Sequence, residues 1–425
     1  MSTDDRERFV AAAKALKEAE GEVRVLRTVD WSKRVSDRFF ARGAKELPEV
    51  EYTPLVAGPV LEKIDRIRAT LDSGAPGDQW LMRQARAIEL GARMLASVGT
   101  KDFFTCAKEL YGEPKATILD GSTTSLALAE RLDQVLAPLD IADLGVLPTP
   151  VTADVLALRM RRLVRVHLGD ATPEIELVDE LSAKAVAGPR KVRVRRDATF
   201  TDQDLRQLVQ HEVFVHVATS LNGKLQTELP LLAAGHPGTT RTQEGLAVFS
   251  EIIGGAMDPT RFRRLADRVL AIQASIDGAD FLDLYAHFLE RRSDPQQAFK
   301  DARRVVRGGL VTGGAPFTKD GVYLDGLLRV HNFLRTAILR GRVDVVPLLF
   351  VGKLDIEDIP DITHFLEEGL CTFPRYLPPW AKDRQFLASY LAYSGFLNSV
   401  RLDEVQRHYS TMLDETRELS PRPVR

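Results

Sequence analysis

The sequence predicts an α+β chain, rich in helices, in which one small sheet precedes the helix carrying its densest polar motif. Two observations point there. Three short runs between residues 160 and 200 alternate apolar and charged residues, the pattern of strands. On either side of that window, apolar residues recur at helical spacing. In chain order, Phe9, Ala13, Leu16 and Val23 share one stripe between Asp5 and about Arg27, which predicts a first helix. LPEVEYTPLVAGP, 47–59, carries three prolines and reads as an extended connector. Helical patterns resume over 59–73, 78–98, 102–111 and 123–137. The Pro-rich LGVLPTPV, 144–151, is a break that separates a mainly helical region, 1–150, from a region, 151–425, that holds the candidate chemistry; one domain or two are both compatible with it.

The three predicted strands are RLVRVHL (162–168), EIELVD (174–179) and RKVRVRR (190–196). The third sets basic residues, Arg193 and Arg195 among them, on one face and valines on the other. Such a strand is either an edge that uses charge to prevent aggregation or an edge that accepts an extended acidic peptide. Helical signals return at Thr201, and two later segments, DPTRFRRLADRVLAIQ and DPQQAFKDARRVVRGG, open with Asp at the cap and Pro at the first helical position. A further helix is expected from 318 to 340, ending at Gly341.

Composition narrows the function. The 425 residues are 44% hydrophobic and 28% charged, with a net charge of −2, so nothing draws the chain as a whole to nucleic acid or to a membrane surface. Cys106 and Cys371 are the two cysteines, far apart and without metal-ligand spacing, which fits a reducing compartment. MSTDDRERFV lacks the apolar run of a signal peptide, and no stretch reaches the roughly 20 apolar residues of a membrane span. A cytoplasmic protein is the expectation.

The motif is HEVFVH, 211–216, one residue longer than the H-E-x-x-H box of zinc peptidases. It follows the helix-start signal Thr201-x-x-Asp204, and Asn222-Gly223 is expected to stop the helix. Histidines four apart on a regular helix differ by roughly 40°, whereas five apart they differ by roughly 140° and diverge. A turn widened to about 4.4 residues brings i and i+5 into line, so a shared metal requires a π-bulge between His211 and His216. A catalytic zinc also needs a third protein ligand and one open position. The Thr240–Gln243 capping spacing predicts that the next helix starts there, with Glu244 in its first turn, 28 residues beyond His216. Glu251, seven residues on, shares that face and is either the third ligand instead or a residue that orients a histidine. Glu212, beside the first histidine, is the natural general base.

HEVFVH, the following TSLNG and above all TQEGLAVFSE resemble one family: the bacterial proteins named for a QEGLA motif and described as modulating flavohemoglobin expression, related to the eukaryotic microtubule-associated tyrosine carboxypeptidases. Softer matches extend from VDWSKRVSDRFF near residue 29 through PFTKDGVYLDG near 316 to LLFVGKL near 348. The resemblance implies a zincin-like zinc metallopeptidase, with His211, His216 and Glu244 as metal ligands and Glu212 as base, acting on a peptide or protein C-terminal tail. It implies nothing about a tubulin partner for this chain. A carboxypeptidase also needs a cation for the terminal carboxylate, for which Arg241 and Lys319 are candidates, and Tyr323 is placed to stabilise an oxyanion. Arg193 and Arg195 would line the substrate's path. FVGKL is no phosphate loop, because Pro347 and Leu354 stand where Gly and Ser/Thr are required. Two rival readings are a regulatory protein that keeps the scaffold without turnover and a metal hydrolase of a non-peptide amide or ester.

Overall fold

The apolar stripe of the first segment becomes helix Thr3–Glu22, capped by Ser2, whose side chain accepts from Asp5 N and which buries Phe9, Ala13 and Leu16. The computed structural model describes residues 1–139, 150–179, 181, 184–188, 190–292, 294–398 and 402–414, without the side chains of 76, 292, 402–404 and 408. Residues 144–149 of the Pro-rich break therefore lie outside the described residues. Helices Gly58–Arg68, Pro76–Ala96, Lys101–Tyr111 and Ser125–Leu136 follow as expected, with no regular element between 47 and 57. Their apolar faces join one large core: Phe9, Leu16, Ile64, Trp80 and Phe103 are buried in the same cluster as Leu246, Phe249, Val330, Phe350 and Leu391. The early helices thus pack on the later ones: Ser125–Leu136 on Pro259–Ile276, and Pro76–Ala96 and Lys101–Tyr111 on Pro237–Ile253, which in turn packs against Val322–Leu339. Those two touch backbone to backbone, because a Cβ on Gly245 would lie 2.1 Å from the carbonyl carbon of Gly326. The glycine of QEGLA is required by that crossing.

A second, smaller core lies under the sheet. Strands β1 (Glu174–Val178), β2 (Ala185–Ala187) and β3 (Lys191–Arg195) are ordered β1-β3-β2, with β1 parallel and β2 antiparallel to β3. Val192 and Val194 face inward onto Val209, Val213, Phe214 and Val217 of the motif helix. Two expectations fail here. RLVRVHL is not a strand but the end of helix Ala153–Leu168, which buries Leu156, Met160, Val164 and Leu168 at four-residue intervals. Seven residues fit either period, and only the longer window shows the helical one. The basic strand is not an edge either: β3 is the middle strand, hydrogen-bonded on both sides, so its ladder has no room for a peptide. The edge beside the motif helix belongs to β2, three alanine- and valine-containing residues too short to announce themselves.

Among the described residues no helix is long and apolar enough to cross a membrane, and both cysteines are free.

Candidate active site

The motif helix starts as expected, with a reciprocal capping box between Thr201 and Asp204. It runs as α-helix over Asp202–Leu208, as π-helix over Val209–Val217, and as α-helix again over Ala218–Lys224. The widened stretch therefore contains the whole of HEVFVH, and it brings the two imidazoles together with ring centroids 5.0 Å apart. Packing on both sides accounts for its persistence. Val215 belongs to the large helical core, while Val209, Val213, Phe214 and Val217 belong to the sheet core. Thr219 and Ser220 donate their hydroxyls to Val215 O and His216 O, both at 2.7 Å. Asn222-Gly223 does not stop the helix through a left-handed residue as the sequence suggested. Gly223 is needed because a Cβ there would lie 2.3 Å from Leu232 O.

The second helix, Pro237–Ile253, starts four residues earlier than a cap at Thr240 predicts: His236 is the cap and Pro237 the first residue. Glu244 thus sits beyond the first turn, where the helix dipole does not explain it. Its Oε2 lies 3.5 Å from His211 Nε2 and 3.5 Å from His216 Nε2. Its Oε1 accepts from Lys319 Nζ at 3.2 Å. Burial pushes the Glu244 carboxyl up, but Lys319 and the two histidines hold it well below the usual carboxylate range. Gln243, the residue before, accepts from Thr219 Oγ1 at 2.9 Å and ties the two helices together.

Glu251 meets the other nitrogen of the first histidine, with His211 Nδ1 2.6 Å from its Oε1. Arg261 grips the same carboxylate through Nε and Nη2, each at 3.0 Å, and Gln207 Nε2 adds a bond of 3.1 Å. Although burial opposes ionisation, Arg261 and His211 keep Glu251 ionised. An ionised Glu251 holds a proton on Nδ1 and leaves Nε2, the nitrogen a metal ion would take, facing Glu244. Burial likewise pushes the His211 imidazole down, yet the facing carboxylates of Glu244 and Glu251 raise it well above the ordinary value.

His211, His216 and Glu244 form a group able to hold a metal ion, with ligand atoms all within 4.8 Å of one another. Ligands at about 2.0–2.1 Å from a tetrahedral ion stand roughly 3.3–3.4 Å apart, close to the two 3.5 Å separations here. Among the described residues no hydrogen-bond donor reaches the buried Glu244 Oε2, which leaves its charge aimed at the point between the imidazoles. Two imidazoles and one carboxylate are a donor set that suits zinc.

Around this group, Glu212 Oε2 accepts from the backbone N of Ala187, on the edge strand, at 2.9 Å. Tyr323 stacks on His211 with centroids 6.3 Å apart and 23° between planes, and Arg268 lies over its ring at 4.7 Å. Lys319, offered as a carboxylate anchor, is engaged by Glu244. Arg241, the other candidate, pairs with Asp325 at 3.0 Å and lines a cavity of about 90 Å³ with Tyr111, Thr117 and Thr318. Arg193 is exposed and Arg195 binds Asp197 at 2.8 Å, both on the sheet face opposite the buried valines. The structure does not bring these two to the histidines. Sequence reasoning missed Ala187, Gln207 and Arg261. The only signal for Arg261 was its place three residues after a capping Asp, which predicts a helix and not a buried ion pair.

A family model described as microtubule-associated tyrosine carboxypeptidase matches residues 37–399. The chain belongs to that family. No curated protein matches it at a significant level. Membership supports a carboxypeptidase-like hydrolase, and it bears out the eukaryotic side of the resemblance read from HEVFVH and QEGLA.

Proposed function

We propose that this protein is a zinc-dependent carboxypeptidase on a zincin-like scaffold, removing a residue from the C-terminus of a peptide or protein tail. The observation that carries the reading is the convergence of His211 Nε2, His216 Nε2 and the undonated Glu244 Oε2 on one point. Held by these three groups, zinc would supply Lewis acidity and a water acidic near neutral pH. Glu212, one of whose oxygens is fixed by Ala187 N, accepts a proton from the attacking water and delivers it to the leaving amine. Tyr323 stabilises the developing oxyanion. Lys319 holds Glu244 in its ligating position and lowers the energy of its anionic form. The substrate tail lies along the free edge of β2, next to Glu212, in place of the β3 path that the sequence suggested.

The test joins elemental analysis to a library of peptides differing at the C-terminus. The wild type is expected to carry one zinc per chain and to release single C-terminal residues, and His211→Ala/His216→Ala is expected to lose both. Absence of a bound metal would sink the proposal. A full metal complement with no peptide cleaved would favour the regulatory scaffold, and cleavage only of non-peptide amides or esters would favour the other hydrolase.

A further inference from the structure

An enzyme that trims a chain end must recognise the free carboxylate, which requires a cation that no protein carboxylate has already neutralised. Nearly every cation at the site fails that condition. Lys319 binds Glu244, Arg261 binds Glu251, Arg241 binds Asp325, and Arg304 and Arg268 share Asp320 at 2.6 and 3.9 Å. Two remain unpaired among the described residues: Arg307, which lies over the Phe317 ring at 5.9 Å within reach of Asp320, and Lys353, which faces the catalytic carboxylates. Among the described residues its ammonium has neither an ion pair nor a hydrogen bond, yet Glu212 and Glu244 are both close enough to act on its charge. The third carboxylate whose field reaches it, Glu20, is already bound by Lys17 at 2.6 Å.

We propose that Lys353 is the residue that receives the terminal carboxylate of the substrate, making the enzyme an exopeptidase; this rests on the carboxypeptidase reading above. The side chain is aimed by its backbone. Lys353 N donates to Leu232 O at 2.7 Å, and Gly352 lies so close to the same carbonyl that a Cβ would be 2.5 Å from it. Asn222, on the motif helix, donates to Phe350 O at 2.8 Å and so ties this loop to the helix that carries the histidines. From there the lysine runs over Gly235, an exposed glycine just ahead of the QEGLA helix. A Cβ at Gly235 would lie 3.4 Å from the lysine Cδ and 3.7 Å from its Nζ. A half-buried ammonium without a counter-ion is unfavourable, and burial lowers its pKa. One incoming carboxylate removes that penalty, and a compact point charge is suited to a single carboxylate. Gly-Lys in FVGKL, which fails as a phosphate loop, finds a use here.

The experiment compares a tail peptide bearing a free C-terminal acid with the same peptide as its C-terminal amide, on wild type, Lys353→Met and Lys353→Arg. Turnover is measured, and binding is measured separately by fluorescence anisotropy on zinc-loaded Glu212→Gln protein with and without the Lys353 changes. Lys353→Met is expected to raise KM and weaken binding for the acid by roughly 10–100-fold, as loss of one charge-assisted contact does, and to erase the preference for acid over amide. Zinc content should be unchanged, and Lys353→Arg should restore part of the preference. An unaltered preference in a zinc-loaded Lys353→Met protein overturns the proposal, and so does loss of zinc or of the fold with no rescue by Lys353→Arg. If acid binds better than amide through Lys353 but nothing is hydrolysed, the carboxylate site stands and the enzyme reading falls.

Discussion

On the sheet side of the site, one backbone amide, Ala187 N, meets one carboxylate, Glu212, over a core of valines. On the helical side, charge is packed densely: Glu244 with Lys319, Glu251 with Arg261, Asp320 with Arg304, all largely buried. Among the described residues Glu212 has no such pairing, and it is partly exposed, whereas Glu244 and Glu251 are held anionic by fixed cations. The contrast matches the chemistry proposed for each side. A group that exchanges protons has to change charge cheaply, and a group that holds a cation must not change charge at all.

The largest effect that would test this division is Glu212→Gln, expected to lower kcat by roughly 100- to 10,000-fold while leaving zinc content intact. Loss of metal in that variant would mean that the sheet side also holds the ion. Next comes the pH dependence of the helical side. Burial holds His236, the cap of the QEGLA helix, neutral and pushes it down to about 4. Because the folded value is below the ordinary 6.5, its contribution is fully present above pH 6.5 and is lost as pH falls toward 4. The wild type should therefore lose about 3 kcal/mol more than His236→Asn between pH 7 and pH 4 in urea unfolding. Equal slopes would show that this histidine is not buried neutral. Smaller again is Glu251→Gln, which leaves His211 without its ionised partner and is expected to weaken zinc binding by roughly 10–100-fold in a chelator competition. An unchanged affinity would place the orientation of His211 elsewhere, for instance in the packing of Tyr323.

Much of the helical framework was legible because long amphipathic segments carry their period redundantly and their caps are chemical: Thr201-Asp204, Asp258-Pro259 and Asp294-Pro295 all begin helices where expected. Even the π-turn was required in advance, since five-residue spacing of two histidines leaves a shared metal no other geometry. The errors fell where local signals compete. RLVRVHL fits two periods, and Thr240–Gln243 imitates a cap inside a helix that Pro237 had already begun.

By itself, then, the sequence determined most of the long helices, that His211 and His216 need a widened turn to share an ion, and that Glu244 and Glu251 share one face of the next helix, because these depend on backbone period and side-chain type. Only the tertiary structure decided that β3 is central, that Lys319 and Arg241 are neutralised while Lys353 is not, and that Arg261 secures Glu251. Those outcomes depend on partners far apart in the chain: Arg261 meets Glu251 across 10 positions, Lys319 meets Glu244 across 75, and Asn222 ties down the loop before Lys353 through Phe350 across 128. Charge neutralisation and strand order are properties of pairs, and a linear sequence names only one member of a pair at a time.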